Sequence, residues 1–325
     1  MDEESAGKIP LRPRLVFMGT PDFAVPSLEA LVKVGHDILA VVTQPDRPKG
    51  RGRKPTATPV KEFALRHGLN VYQPEKVSEE SFCSLIRGLA PDLIVVVAFG
   101  QILKRNLLEI PRCGVVNIHG SLLPAYRGPA PIQWVILNNE PRTGLTLMRM
   151  DEGLDTGPIL FQREVPILPD ETAGHLHDRL AALSGEFLVD SLRRMAENSV
   201  VETPQDEGKA SYAPKIGSEI CVLDWTEPAE RLSACIRALD PGPGARTSLK
   251  GKPLKLFASR VFPESVRDPI PGRVRRADRG GLVVDSGRGA VWIREVQAPG
   301  KRRMPVADFL RGFPVPEGTV LGRVE

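Results

Sequence analysis

Three side chains able to share one reaction lie in two short motifs. Asn117 and His119 stand in Asn117-Ile118-His119-Gly120-Ser121-Leu122-Leu123-Pro124, and Asp155 stands in Asp151-Glu152-Gly153-Leu154-Asp155-Thr156-Gly157. An amide, an imidazole and a carboxylate suit acyl transfer to an amine. Attack of a primary amine on an acyl carbon builds negative charge on the acyl oxygen, and a preorganised donor must meet that oxygen. A proton must leave the attacking nitrogen and reach the leaving group. The carrier of that proton needs a partner that fixes its protonation state. No metal is required. Each residue also has a plainer reading: an Asn at a strand end satisfies local backbone groups, and an Asp before Thr-Gly forms a turn. The other histidines, His36, His67, His175 and His177, fall in or beside helices, which leaves His119 in a strand-end loop rich in Gly and Pro.

Elements that would position these residues are legible. The apolar run at residues 93–99 reads as a buried parallel strand, and residues 114–118 as a second one ending at the Asn/His motif. In open α/β sheets, ligands sit outside the carboxyl ends of strands, where both motifs fall. A strand at 14–18, a turn Gly19-Thr20-Pro21-Asp22, a helix at 23–34 and a strand at 36–43 form a βαβ opening. Its turn has one glycine rather than GxGxxG, which argues against a dinucleotide site and a nicotinamide-dependent oxidoreductase. Further helices are expected at 60–67, 78–89, 106–110, 131–138 and 172–198, and strands at 71–72, 143–149 and 159–165. Residues 44–59 interrupt this pattern as a Pro/Gly/basic loop, far longer than the usual 2–6 residue connection.

Residues 1–13 read as a disordered leader, 14–201 as the catalytic domain with the inserted basic loop 44–59, 202–215 as a polar linker, and 216–325 as a second domain. In the last, a helix at 228–238 precedes short β-like runs at 254–259, 272–275, 282–285 and 290–296, as in a small barrel. The length of 325 residues suits about two domains. Four scattered cysteines without CxxC argue for a reducing compartment and against structural zinc. The acidic start resembles neither a signal nor a transit peptide, and no apolar run approaches the roughly 20 residues of a membrane span. A cytoplasmic monomer is expected.

Charge is unevenly spread. Residues 216–325 hold 19 Lys and Arg against 13 Asp and Glu, a balance of +6, so residues 1–215 carry −2 of the whole chain's +4. Within that acidic part, Arg47, Lys49, Arg51, Arg53, Lys54 and Lys61 occur with no acid between them. This asymmetry points to a polyanionic partner touching both parts.

The run from Asn117 to Gly128, followed by Gly153-Leu154-Asp155-Thr156-Gly157, resembles the folate-dependent formyltransferases. Phe17-Met18-Gly19-Thr20-Pro21-Asp22-Phe23-Ala24, the loop Thr43 to Gly52, Asp224-Trp225, Ile236-Arg237-Ala238 and Pro241-Gly242-Pro243-Gly244-Ala245 are similar to the branch that acts on methionyl-tRNA. The resemblance covers about residues 14–322. It implies an α/β fold, with a Rossmann-like N-terminal formyltransferase domain followed by a small OB-like β-barrel. It also implies transfer of the formyl group from 10-formyltetrahydrofolate, as co-substrate, to the α-amino group of methionyl initiator tRNA.

Matched residue by residue, Asn117, His119 and Asp155 become the catalytic trio. Asn117 and protonated His119 stabilise the oxyanion, and Asp155 keeps His119 charged and relays the amine proton. Phe99, Gly100, Ile102, Leu103, Ser121, Leu122, Leu123, Pro124, Met150 and Asp151 become the folate contacts. The basic loop would meet the acceptor stem through Arg47, Lys49, Arg51, Arg53 and Lys54, with Arg51 counting most. The barrel would add Lys250, Lys252, Lys255, Lys301, Arg302 and Arg303. Pro129 and Phe99 depart from the Ala and Tyr common at those places. Rival readings are the same chemistry on a nucleotide-linked amino sugar, which does not require the basic insertion, and an inactive RNA-binding relative, which does not require an intact trio.

Overall fold

The computed structural model describes residues 9–49, 54–197 and 200–322. Its contacts divide it into two compact units: one made from Met1–Gly128, Thr143–Val165 and His177–Tyr212, the other from Pro129–Arg142, Pro166–Leu176 and Ala213–Glu325.

The first unit is built on a seven-stranded sheet. In chain order its elements are β1 (Arg14–Gly19), α1 (Val25–Lys33), β2 (Asp37–Val42), β3 (Arg47–Lys49), β4 (Lys54–Thr56), α2 (Pro59–Arg66), β5 (Val71–Tyr72), α3 (Glu80–Leu89), β6 (Leu93–Val97), α4 (Arg105–Leu108) and β7 (Val115–His119). They are followed by β8 (Arg142–Arg149), β9 (Ile159–Pro166) and the long helix α6 (Ala173–Ala196). The sheet order is β5-β2-β1-β6-β7-β8-β9. Its first five strands run parallel, and β8 returns antiparallel to β7. Every residue of β6 is buried, as expected for a strand covered on both faces. The order reverses between β1 and β6, so the carboxyl ends of these strands flank the crevice where such sheets take ligands.

Local signals explain the helix starts. Thr58 caps α2 by accepting from the Lys61 N–H at 3.1 Å, and Pro59 occupies the first turn, where its missing donor has no effect. Helix α3 buries Phe82, Cys83 and Ile86 along one stripe.

The inserted loop holds structure that its sequence did not suggest. Arg47–Lys49 pairs with Lys54–Thr56 as an antiparallel ribbon, with Pro48 opposite Pro55. Its residues carry no apolar alternation, so periodicity gave no strand signal there. Arg51 and Arg53 lie outside the described residues. Residues 1–8 of the expected leader do so too, while Ile9 and Pro13 are buried.

The second unit contains α5 (Pro131–Leu137), α7 (Ala229–Ala238), β10 (Ala245–Leu249), β11 (Lys252–Val261), β12 (Val274–Asp278), β13 (Gly281–Asp285), β14 (Ala290–Gln297), β15 (Met304–Pro305) and α8 (Val306–Gly312). The sheet runs β10-β11-β14-β13-β12, with β15 on β14. Residues 318–322 close it: Val320 bridges Arg273 beside β12, and Gly322 bridges Ser248 of β10. The core inside includes Trp225, Leu232, Ile236, Leu256, Val284, Val291 and Ile293. Trp225 is polar-satisfied there, its Nε1 donating to Thr247 Oγ1 at 2.9 Å. The sequence reading omitted β10 and α8. The inward residues of β10 are Ala245, Thr247 and Leu249, a weak alternation, and α8 spans only two turns.

Candidate active site

Strand β7 places Asn117 and His119 two residues apart, so both side chains leave the same face of the sheet. Val116 and Ile118 fill the other face and are buried. Asn117 and His119 are 8% and 6% exposed, so each keeps a small opening to solvent. Register with β8 sets His119 opposite Thr146 and Asn117 opposite Met148.

Two loops bring partners to His119. Its Nε2 lies 2.9 Å from the Tyr126 carbonyl. A carbonyl only accepts, so Nε2 carries the proton. Nδ1 faces the Asp155 carboxylate at 3.7 Å. That carboxylate also accepts from the Gly128 N–H at 2.8 Å. Asp155 has φ 56°, in the left-handed region, where a non-glycine residue is strained. Such strain persists where surrounding structure over-determines it. The Asn117 amide makes no hydrogen bond among the described residues. Donor, imidazole and carboxylate thus stand together, with the donor unclaimed, and this arrangement can stabilise a developing oxyanion and hold a proton beside it.

The loop carrying Ser121 to Pro124 is fastened by β8 and β9. Thr146 donates to the Ser121 carbonyl at 2.7 Å and accepts from the Leu123 N–H at 3.1 Å. Gln162 donates to the Leu123 carbonyl at 2.8 Å. Ser121 is buried and donates to the Ala125 carbonyl at 2.7 Å. Leu122 packs on Gly144, where an added Cβ would stand 2.2 Å from the Arg163 carbonyl. The Asp151 carboxylate ties its own loop, accepting from the Gly153 N–H at 3.0 Å and from the Thr156 hydroxyl at 2.8 Å.

Phe99 and Leu103 belong to the core beneath the loop after β6, together with partly buried Met150. The Phe99 carbonyl accepts from Thr20 at 2.8 Å, which joins that loop to the end of β1. Ala98 and Gly100 turn the chain there with positive φ. Ile102 is 77% exposed and Leu154 51% exposed.

Thr20, Gln44, Arg47, Thr56, Ala98 and Phe99 line a cavity of about 500 Å³ at the ends of β1, β2 and β6. Arg47 is exposed at the ribbon's base. Lys49 and Lys54 pair at the ribbon's far end. Lys61 turns inward instead, donating to Asp46 at 2.7 Å, and Gln73 donates to Asp46 at 2.7 Å as well. These donors, Lys61 first, hold the Asp46 carboxyl below the usual range.

In the second unit, Lys250, Lys252, Lys301 and Arg302 are exposed. Lys255 donates to the Pro243 carbonyl at 2.8 Å. Arg303 is claimed by the fold, with its guanidinium 2.6 Å from buried Asp240, bonded to Glu295, and stacked 4.4 Å from the Phe257 ring centre.

Sequence reasoning missed the partners supplied by residues 202–212. Arg127, 8% exposed, is held by a fork of bonds to Glu207 at 2.8 and 3.0 Å. Gln205 accepts from Arg127 Nε at 3.0 Å. Read as polar linker, this stretch has no apolar signal. An arginine inside the motif was the one hint that an acid elsewhere had to meet it.

A largely parallel sheet with an amide, imidazole and carboxylate at its carboxyl edge, in a chain that also carries a closed antiparallel barrel, suits a two-part group-transfer enzyme. Residues 13–192 match the family described as Formyl transferase, and residues 215–314 match Formyl transferase, C-terminal domain, so the chain belongs to the formyl transferase family. It is similar along almost its whole length to proteins named methionyl-tRNA formyltransferase. That of Pelotomaculum thermopropionicum is 48% identical over 95% of this chain and 98% of its own length. That of Pelobacter propionicus is 49% identical, over 95% of this chain and 96% of its own length. Among solved structures, the N-formyltransferase of Helicobacter canadensis in complex with folinic acid and dTDP-3-aminofucose has a TM-score of 0.64 at 22% identity, covering 86% of this chain and 98% of its own. HypX of Aquifex aeolicus in complex with tetrahydrofolic acid has a TM-score of 0.63 at 19% identity, covering 92% of this chain and 47% of its own. At these identities the two structures speak for the fold. Among the described residues, no helix is long and apolar enough to cross a membrane.

Proposed function

We propose that this protein transfers the formyl group of 10-formyltetrahydrofolate to the α-amino group of methionine on initiator tRNA. The observation that carries the reading is 48% identity over 95% of the chain to a methionyl-tRNA formyltransferase, joined to a trio that stands together on β7 and the Asp155 loop. The amino-sugar reading is not favoured. Structures such as the N-formyltransferase with dTDP-3-aminofucose resemble this chain at only 22% identity, and that reading leaves the basic ribbon without a partner.

The residues fit the folate. Ile102 and Leu154 offer apolar side chains to solvent, as suits contact with a flat aromatic ring. When bound, 10-formyltetrahydrofolate supplies the formyl group on its N10 nitrogen. Asn117 donates to the formyl oxygen as that oxygen gains charge. His119, fixed by Tyr126, adds positive charge on the same side, and Asp155 balances that charge and takes the proton from the amine. A nitrogen–carbon bond to the amine forms, the bond from N10 to the formyl carbon breaks, and the proton lost by the amine ends on N10. An α-amino group has a pKa of about 7.7–8.0, so a useful fraction is neutral at cellular pH and placement dominates the rate.

Arg47 and the ribbon above the cavity belong with a polyanion, and in our reading the aminoacyl end of the tRNA enters there. Exposed Lys250, Lys252, Lys301 and Arg302 give the barrel further phosphate contacts. We take the enzyme to act as a cytoplasmic monomer, and scattered cysteines without CxxC suit a reducing compartment.

The test is formyl transfer from 10-formyltetrahydrofolate to charged initiator tRNA, with His119→Ala alongside. Transfer by the wild type and not by the variant supports substrate and site together. Absence of transfer by the wild type, with tRNA still bound, would sink the reading in favour of an inactive RNA-binding relative.

A further inference from the structure

We infer that Gln205 is a positioning residue for Asp155, acting through the main chain rather than through substrate. The inference rests on the function proposed above. The Gln205 side-chain amide donates to the Asp155 carbonyl at 2.8 Å and to the Gly157 carbonyl at 2.7 Å. Its oxygen accepts from Arg127 Nε at 3.0 Å. All three contacts fix the amide the same way round. Flipped, it would set oxygen against two carbonyls and nitrogen against a guanidinium.

Asp155 is held from two sides, and Gln205 reaches both. On the main-chain side it bonds the carbonyl of a residue at φ 56°. On the side-chain side the carboxylate hangs on the N–H of Gly128, which directly follows Arg127. Arg127 is fixed by Gln205 and by the Glu207 fork. One side chain therefore ties the strained loop to Arg127, the chain neighbour of the residue whose N–H the carboxylate accepts.

The segment carrying Gln205 is itself fastened along its length. Thr203 and Ile159 exchange N–H to carbonyl bonds at 2.8 and 2.9 Å. The Arg127 N–H donates to the Ser211 carbonyl at 2.8 Å, and the Ser211 hydroxyl accepts from the Tyr126 N–H at 2.9 Å. Tyr126 is the residue whose carbonyl holds His119. The strap thus sets both members of the His119–Asp155 pair, and misplacement of a reacting group by about 1 Å can cost about 10²-fold in rate.

The test compares Gln205→Glu with Gln205→Ala in the formylation assay. Glu keeps the shape and the acceptor for Arg127 but removes both donors to the carbonyls. Both variants are expected to lower kcat about 10²-fold with KM for tRNA and folate within about threefold. Amide hydrogen exchange at Thr156 and Gly157 should quicken in both while Tm of Gln205→Glu stays near that of the wild type. A Gln205→Glu enzyme with kcat within about threefold of the wild type overturns the inference, as does a loss of rate matched by loss of folded protein. If the wild type itself does not formylate Met-tRNA, the functional reading fails, and unchanged hydrogen exchange in Gln205→Glu then overturns the positioning role separately.

Discussion

The His119 imidazole and the Asp155 carboxylate stand 3.7 Å apart, while the other ring nitrogen is fixed at 2.9 Å by the Tyr126 carbonyl. The first distance is too long for a hydrogen bond and short enough for a strong charge interaction in a site shielded from water. Asp155 therefore acts on His119 through its charge. Asp155→Asn keeps an oxygen for the Gly128 N–H and removes that charge. It is expected to lower single-turnover formylation by about 10²–10⁴-fold with folate binding retained. A loss below tenfold would show that the carboxylate's charge is not what the reaction uses.

Asn117 differs from its neighbours in having no hydrogen bond to give up among the described residues. Removing its amide should leave the fold as it was and touch the reaction alone. Asn117→Ala is expected to show an unchanged Tm and a kcat lower by about 10²–10³-fold, the usual effect of deleting one oxyanion donor. A drop in Tm of several degrees would instead assign the amide to structure.

Much of this site was readable before the fold was known, and the reasons are physical. Asn117 and His119 sit two apart on a strand, and period-two alternation alone places them on one face. The run at residues 93–97 is uninterrupted Leu, Ile and Val, which marks a strand buried on both faces. Gln205 and Glu207 were not readable. Their partners are about 80 residues away in sequence, and a polar residue that bonds a distant carbonyl leaves no periodicity. The strands of the ribbon were hidden for a related reason, because Pro48 opposite Pro55 pairs by register without an apolar face. Lys255 and Arg303 show that a cation's structural partners are equally hidden from sequence. Both are cations on a basic unit, yet one caps a carbonyl and the other neutralises Asp240.

The Arg127–Glu207 fork makes a pH-dependent statement. Arg127 beside Glu207 holds that carboxyl below the usual glutamate range, the hydrogen bonds being the largest cause. A carboxyl lowered on folding contributes stability above its unfolded pKa of about 4.3, and loses it as pH falls through the lower folded value. The clamp is therefore expected to persist at a pH where ordinary glutamates are half-protonated. Carboxyl NMR should give Glu207 a midpoint below about 4.3, moving upward in Arg127→Ala. The same midpoint in both proteins would refute the pairing.

Burial acts in the opposite direction on Cys235. Its thiol donates to the Ile220 carbonyl at 3.4 Å. Desolvation, with a smaller contribution from neighbouring Cys221, pushes it up to about 12, against the opposing charge of Arg231. In the unfolded chain the same thiol ionises near about 8.5. The folded state thus keeps a proton that the unfolded state gives up, and stability falls as pH rises from about 8.5 toward the folded value. Below that window the thiol contributes its full share, since both states are neutral. Urea midpoints at pH 8, 9 and 10 should decline more steeply for the wild type than for Cys235→Ala, because the alanine has no proton to lose in either state. Lysine and tyrosine titrations are common to both proteins and cancel in the comparison. Parallel curves would mean that the sulfur is as well solvated in the folded protein as in the unfolded chain, contrary to the packing of this partly buried α7 side chain against the core.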